Sequence, residues 1–444
     1  LHMAMVVKNN MSAVNTLNNL NRNQSALAKS LQKVSSGMKI NNAGDDASAY
    51  AISERMRVQI RSLNQDNQNT QNGNSMMRTA EGAVSSTVEI LKTLKEKAIS
   101  AANDTNTDDD RRIIQREINQ MVDQIDDNAL ATYNGKYLVD GTHNAKGDST
   151  CTTLTNSALS TTSAWGSALT SLQTRTNENL NIQSTDKVTL SYVREGRTFT
   201  TTFSIGSQTL SQIITATAYN GTQSAAGTDL VAVNSFAQGS MVGLDKGGNS
   251  VYTADNKTAL SLRAVGGGTT YQIASFTIAI SDSNGNLRKT ANTALDAFKE
   301  TIRAEFASED NALVLQTGTR ANQAIKVNMS DMRSLALGMK GRDGYVLSVQ
   351  TQEKANAAIN AIETALQKAL DEQANLGAVQ TRLSYTSSNL TTAAENVQNS
   401  ESTIRDADMA KEMTEYTKNN VLLQAAQAML AQANQNSSAV LSLL

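Results

Sequence analysis

Two aspartate clusters are the first residues whose type and spacing could do chemistry. Asp45-Asp46 has the composition of a paired acid/base site. Adjacent side chains point in different directions, however, and the pair falls just before a helix, so an N-cap role is the preferred reading. Asp108-Asp109-Asp110 could bind a cation, but it follows Thr107 and opens an apolar-periodic stretch. A hydroxyl N-cap and then three carboxylates near the positive end of the macrodipole make a strong helix start. Gly266-Gly267-Gly268 is rich enough in glycine to cradle a phosphate, yet no Gly-Lys-Ser/Thr follows and no helix start is evident. It reads as a flexible turn.

Nucleophiles and metal ligands are sparse. The chain has one cysteine, Cys151, and two histidines, His2 and His143. One cysteine forms no internal disulfide, and neither histidine has a partner at helical spacing for a metal. Cys151, near a Ser/Thr run, reads as an incidental surface thiol. No motif supports a Ser/His/Asp arrangement around His143, and the His-Glu-x-x-His helix of a zinc protease is absent. Leu1-His2-Met3 reads as a cloning remnant. The expectation is therefore no catalytic residue, no cofactor and no metal. The Ser/Thr density of residues 149–220 could mark O-glycosylation; solvated strands and loops are the favoured reading.

Composition points the same way. The 444 residues carry 39 Lys+Arg against 41 Asp+Glu, a balance unlike the basic excess of a nucleic-acid binder. No run of about 18 apolar residues occurs, so no membrane span is expected. The chain contains no proline, where ordinary usage of about 5% would give roughly 22. Long uninterrupted helices are favoured, and slow prolyl isomerisation is removed.

Residue patterning divides the chain into a helical N-terminal zone, a Ser/Thr/Gly-rich middle and a helical C-terminal zone. Val14, Leu17, Leu20, Leu27, Leu31, Val34 and Met38 form one apolar stripe that ends at a C-cap-like Gly37. A second register runs Ile52, Met56, Leu63, then Met77, Ala80, Val84, Leu91, Leu94, Ala98. Between its halves the seam positions are Asp66, Thr70 and Gly73, where packing is expected to weaken. Ala355, Ile359, Ile362, Leu366, Ala369, Leu376, Leu383, Leu390, Ala394 and Val397 keep an alternating 3–4 spacing, with Gln373, Gln380 and Ser387 filling the gaps. That is long enough for a coiled-coil helix. A last helix is expected from roughly Ile404 to Ser438. In the middle, Lys187–Ile205 alternates around Glu195-Gly196 as a hairpin. Ser275–Ser281 reads as a strand, 293–306 as a short helix, and 313–315 with 325–327 as another hairpin. An amphipathic helix of about 35 residues is roughly 50 Å long and cannot bury its apolar face on itself. The two terminal segments must pair with each other or with neighbouring subunits.

The residues also carry a resemblance. Leu31–Ile40 followed by Asn41–Asp46 resembles the "LSSGLRIN…DD" signature of bacterial flagellins. Thr79–Val84 is similar to their "TxEGAL" stretch, and Leu376–Leu383 to "LGAVQNRF". Leu430–Gln435 and the terminal Val440–Leu444 resemble the flagellin C-terminus, and Leu315–Met332 the family's "QIGANxxQ…I…DM" element. The resemblance implies a mainly α fold with an α+β insertion: long antiparallel coiled-coil and helical-bundle terminal domains plus a variable β-rich outer domain. It places an inner coiled-coil domain at 4–45 and 402–444. A helical-bundle domain follows at 46–141 and 311–401, with a β-hairpin near 313–329. A surface-exposed variable domain occupies 142–310.

The function implied is that of a secreted, extracellular subunit of the flagellar filament, exported unfolded by a type III apparatus. Its partners would be copies of itself, an export chaperone, the filament cap protein, the hook–filament junction protein and the flagellin-sensing Toll-like receptor. Inner-helix packing is expected from Leu17, Leu20, Leu27, Leu31, Leu422, Leu423, Met429 and Leu430. The receptor-facing positions implied are Lys92, Thr93, Lys97 and Glu117. Strongly stimulating flagellins carry an Arg and a Leu where this chain has Thr93 and Lys97, which implies weakened receptor activation. Many members end in Leu-Leu-Arg where this chain has Leu443-Leu444, a departure expected to be tolerated. A hook–filament junction-type protein and an outer domain binding a host glycan are the alternatives.

Overall fold

The computed structural model describes residues 10–216, 230–236, 241–252 and 259–442; Leu443-Leu444 lie outside this set. Three helices come first: α1 (Met11–Ser36), α2 (Ala47–Ala102) and α3 (Asp108–Ala129). Two short strands, β1 (Thr132–Tyr133) and β2 (Lys136–Tyr137), follow. The middle holds β3 (Thr153–Asn156), β4 (Lys187–Arg194), β5 (Arg197–Ser204), α4 (Leu210–Ala216), β6 (Leu230–Phe236), β7 (Met241–Leu244), β8 (Ser250–Tyr252), β9 (Ala259–Ala264) and β10 (Ile273–Ser281). Then come α5 (Lys289–Leu295), β11 (Phe298–Ile302), β12 (Leu313–Gln316), β13 (Ala324–Val327), α6 (Gln352–Arg405) and α7 (Met409–Ser442). The chain divides into two units. One gathers the chain up to Thr70, Gln316–Gln323 and the chain from Tyr385; the other holds Gln71–Leu315 and Ala324–Ser384.

The second unit has two apolar cores. Met77, Ala80, Val84, Leu91, Leu94 and Ala98 of α2 are fully buried, as are Ala355, Ile362, Ala369, Leu376 and Leu383 of α6. They meet Ile118, Val122 and Ile125 of α3 and Leu337, Met339, Leu347 and Val349 from the irregular segment before α6. The helix start at Thr107 is a full capping box, with Thr107 Oγ1 accepting the Asp110 N–H (3.3 Å) and Asp110 accepting the Thr107 N–H (3.0 Å). Arg111 folds back so that its Nε donates to the Ala101 carbonyl at 2.9 Å, closing the end of α2.

The polar seam of α2 does not break it: Ala47–Ala102 is continuous. In the second unit, Gly73 leaves room for Leu315 of β12, whose Cδ1 lies 2.7 Å from where a Cβ would stand. There also Gln380 of α6 donates to Glu81 of α2 at 2.7 Å. In the first unit Ser387 donates to Asn67 at 2.6 Å. Two of the polar gaps of α6 thus bond polar side chains of α2. Asp66 is buried, and burial pushes its carboxyl above the usual range.

The second core lies in the middle region and includes Trp165, Leu190, Tyr192, Ile213, Leu262 and Ile278. Its sheets are antiparallel, in the orders β10-β4-β5 and β11-β3-β9-β6. The β4–β5 hairpin turns at Glu195 (φ 49°) and Gly196 (φ 72°), two successive left-handed residues as a tight two-residue turn requires. Two expectations fail here. The helix expected at 293–306 is α5 at Lys289–Leu295 followed by strand β11, because Phe298–Lys299–Glu300 pairs with Asn156–Thr155–Leu154. The Gly266–Gly268 turn is packed rather than free: an added Cβ would meet Tyr271, Ser149 and Phe306 at 2.3–2.4 Å.

β11 and its flanks meet α6 through polar groups. Asn360 donates to both Asp296 oxygens at 3.3 Å, Lys368 and Glu300 lie 3.8 Å apart and buried, and Arg303 pairs with Asp371. Burial raises the Asp296 carboxyl to about 6 from an ordinary 3.8, against the smaller lowering effect of Asn360. The folded state therefore holds this proton more tightly than the unfolded chain. Its contribution is present below pH 3.8 and is lost as pH rises through 6. The loss is at most about 3 kcal/mol. Asp296→Asn is expected to raise the melting temperature at pH 8 and to flatten the fall between pH 4 and pH 7 seen by calorimetry. An unchanged pH profile would contradict this.

Candidate functional site

The helices nearest the chain ends form an antiparallel pair. α1 starts at Asn10, whose side chain accepts the Ala13 N–H at 3.0 Å, and stops at Gly37 (φ 71°), whose N–H returns to the Lys33 carbonyl. α7 starts at Asp408, whose Oδ1 accepts the N–H groups of Ala410 and Lys411 at 3.0 and 3.2 Å. The expected single helix from Ile404 is therefore two: Ile404 belongs to α6, and the chain breaks at Asp406–Asp408. The break has a cause. The Lys39 N–H donates to the Arg405 carbonyl (2.7 Å) and the Ala407 N–H to the Gly37 carbonyl (2.9 Å). These bonds tie the α6–α7 connector to the end of α1. Arg405 is buried, donates to Glu54 at 2.6 Å and lies over the Tyr50 ring. Its guanidinium holds the exposed Glu54 carboxyl below the usual range.

Four polar contacts set the register: Asn10 to the Ala433 carbonyl (3.3 Å), Asn23 to the Leu422 carbonyl (3.3 Å), Asn419 to Ser30 (3.1 Å) and Lys33 to Glu412 (3.2 Å). The α1 positions withdrawn from water include Ala13, Thr16, Leu20, Asn23, Leu27, Ser30 and Val34, flanked by Ala26 and Lys33; on α7 they include Glu412, Tyr416, Asn419, Leu423, Ala426, Leu430 and Ala433, flanked by Glu415 and Asn420. This 3–4 spacing fits a coiled-coil seam with polar rungs. The eight expected packing residues divide. Leu20, Leu27, Leu423 and Leu430 are half-buried in the seam. Leu17 (45% exposed), Leu31 (52%), Leu422 (42%) and Met429 (62%) stay outside it, together with Met11, Val14, Met413 and Val421. Sequence periodicity located both groups but did not separate them. It missed Arg405 and the asparagine contacts, for which buried-position Asn and Ser at heptad spacing were the available signal.

Asp46 Oδ1 accepts the Ala49 N–H at 3.0 Å, the N-cap of α2. Asp45 accepts the N–H groups of Asn41 and Asn42 at 3.1 Å, which lower its carboxyl below the ordinary range. Neither is arranged for catalysis. Of the four positions drawn from the receptor surface, Lys97 and Glu117 form an ion pair at 2.8 Å between α2 and α3. Lys92 pairs with Glu89 at 2.7 Å, and the Thr93 hydroxyl donates to the Glu89 carbonyl at 3.1 Å. His143 Nδ1 lies 3.2 Å from the Asn311 carbonyl, and no group of three or more His, Cys, Asp or Glu able to hold a metal occurs among the described residues.

Long helices that carry a β-rich insertion, and whose outermost segments pair while leaving leucine and methionine uncovered, define a class of helical assembly subunits. Comparison with known proteins gives the family. The bacterial flagellin N-terminal helical region matches residues 7–144, and the flagellin C-terminal helical region matches residues 359–444. A flagellin of Clostridium tyrobutyricum is 35% identical over 432 residues, covering 97% of this chain and 99% of its own. One of Bacillus subtilis (strain 168) is 30% identical over 461 residues, covering 99% and 100%. The solved FliC of Burkholderia pseudomallei is 20% identical and aligns with 70% of this chain and 99% of its own at a TM-score of 0.26, which adds nothing to the fold. The chain belongs to the bacterial flagellins and is a structural subunit of the flagellar filament.

Proposed function

We propose that the subunit polymerises through the α1–α7 pair, which forms the inner domain (4–45 and 402–444) of a filament built from copies of this chain. The observation that supports this most is the apolar surface left on the pair after its own seam has closed. Val14, Leu17, Leu31, Leu422 and Met429 are each more than 40% exposed on one two-helix element. Exposed large apolar side chains gathered on one such element are the surface a partner helix would cover. The helical domain (46–141 and 311–401) would stack along protofilaments and the 142–310 domain would face solvent. Export as an unfolded chain is consistent with zero proline, since no isomerisation delays folding at the growing tip. An export chaperone, the cap protein and the junction protein are the partners such a route needs. The filament would be extracellular, and its role structural rather than catalytic. The test is heat dissociation followed by salt-induced reassembly, viewed by negative-stain electron microscopy. Full-length chain is expected to form long filaments, and a chain lacking residues 405–444 none. Filaments from the truncated chain would overturn the assignment of the contacts.

A second expectation concerns innate recognition. A receptor contacting the α2–α3 face would meet Lys97 already paired with Glu117 and Thr93 in place of a guanidinium fork. Weak activation of the flagellin-sensing receptor is expected. A reporter-cell dose curve matching a strong agonist would refute it, and Thr93→Arg with Lys97→Leu is expected to shift the curve to lower dose.

A further inference from the structure

β5 is the outer strand of its sheet, half-buried from Arg197 to Thr201 and exposed at Thr202 and Ser204. It closes one side of the sheet β10-β4-β5, and among the described residues no strand pairs with its outer side. Sheet edges are usually blunted by a bulge, a lysine or a proline. The other edges of the two larger sheets are irregular: register shifts occur in β10 between Ile273 and Ser275, in β11 between Glu300 and Ile302, and in β6 between Val233 and Phe236. β5 pairs with β4 over all eight residues without a shift, and carries no charge from Thr198 to Ser204. Ile205 donates its N–H to the Asp186 carbonyl. With a period of two, the N–H groups of Phe203, Thr201 and Phe199 also face β4, and those of Thr198, Thr200, Thr202 and Ser204 face outward.

The outward strand is nearly palindromic. Thr198-Phe199-Thr200-Thr201-Thr202-Phe203-Ser204 reads almost the same in both directions about Thr201. A strand paired antiparallel with a copy of itself needs this self-complementarity. In the register centred on Thr201, Phe199 opposes the Phe203 of the second copy, and Thr200 opposes its Thr202. The Phe and Thr201 positions fall at non-hydrogen-bonded sites, where side chains come closest.

We infer that β5 is a contact between neighbouring copies of this chain, joining two outer domains edge to edge in the filament. The inference rests on the polymer reading above. Seven paired residues, Thr198–Ser204, cover about 24 Å of strand, a contact smaller than the 1,200–2,000 Å² of a stable interface. The pairing is thus weak between free subunits and forms where the polymer holds copies side by side.

Thr201→Cys, made in a Cys151→Ser background, places two thiols directly opposite each other. Oxidation of reassembled filaments is expected to shift this chain to a dimer band, while Ser283→Cys at an exposed hairpin tip stays monomeric. In unaltered protein, the amides of Thr200 and Thr202 are expected to exchange with solvent in the dilute subunit and to become protected in the filament. Normal filaments with neither dimer nor protection overturn the β5 contact and leave the polymer reading intact. Protection already present in the dilute subunit shows that the chain covers its own edge, and also overturns it. Failure of unaltered chain to form filaments overturns both readings.

Discussion

Met429→Asp is expected to give a folded subunit that forms no filaments. Met429 lies on α7 outside the α1 seam and is 62% exposed, so the subunit loses little by the change. In a polymer that buries this face, an unpaired carboxylate would have to leave water at a cost of several kcal/mol. Leu423→Asp is expected to block assembly by another route. Leu423 faces α1 between Asn419 and Ala426, so the charge would open the pair itself and expose α7 to protease. Circular dichroism, limited proteolysis and electron microscopy on the two variants separate the routes. Long filaments from Met429→Asp would remove the exposed face from the assembly surface.

Gln115→Met is expected to lower the melting temperature more than any exposed substitution on the same helix. Gln115 is buried in α3, where its Nε2 donates to the Leu347 carbonyl at 2.9 Å and its Oε1 accepts the Val349 N–H at 2.7 Å. One side chain thus satisfies two backbone groups of an irregular segment whose Leu347 and Val349 side chains are fully buried. Each group left unsatisfied costs about 1–3 kcal/mol, and the methionine restores neither bond. A loss of roughly 2–5 kcal/mol corresponds to a drop of roughly 3–8 °C in a unit of about 300 residues. Gln124→Met, exposed on the same helix, is the control and is expected to melt like the parent. Equal melting of both variants would show that water replaces the Gln115 bonds.

Local chemistry was readable wherever one short segment decides the outcome. Gly37 stops α1, Thr107 with Asp110 starts α3, and Glu195-Gly196 turns the β4–β5 hairpin, because cap and turn geometry depend on a few adjacent residues. The long registers of α2 and α6 were readable for the same reason, period by period. What failed depends on distant partners. Phe298–Ile302 is a strand because β3, over a hundred residues earlier, supplies its ladder. α6 ends at Arg405 because Lys39 and Gly37 take the Arg405 carbonyl and the Ala407 N–H that would have continued it. Ser387, read as a gap in the apolar register of α6, is bonded to Asn67 of α2, over three hundred residues away. Among the site residues, the leucines were visible as a set. Which of them face α1 is fixed by asparagine and serine rungs that periodicity of apolar residues does not detect.

The pairing of α1 with α7 has a consequence for how an incomplete chain behaves. Residues 11–36 find their seam only in residues 409–442, so the earliest helix to be made waits for the last. A chain interrupted after Arg405 still carries α1 to α6 and every strand, yet it never completes the two-helix element. If the polymer grows through this pair, as proposed, truncated subunits would be left out of it without any separate inspection step.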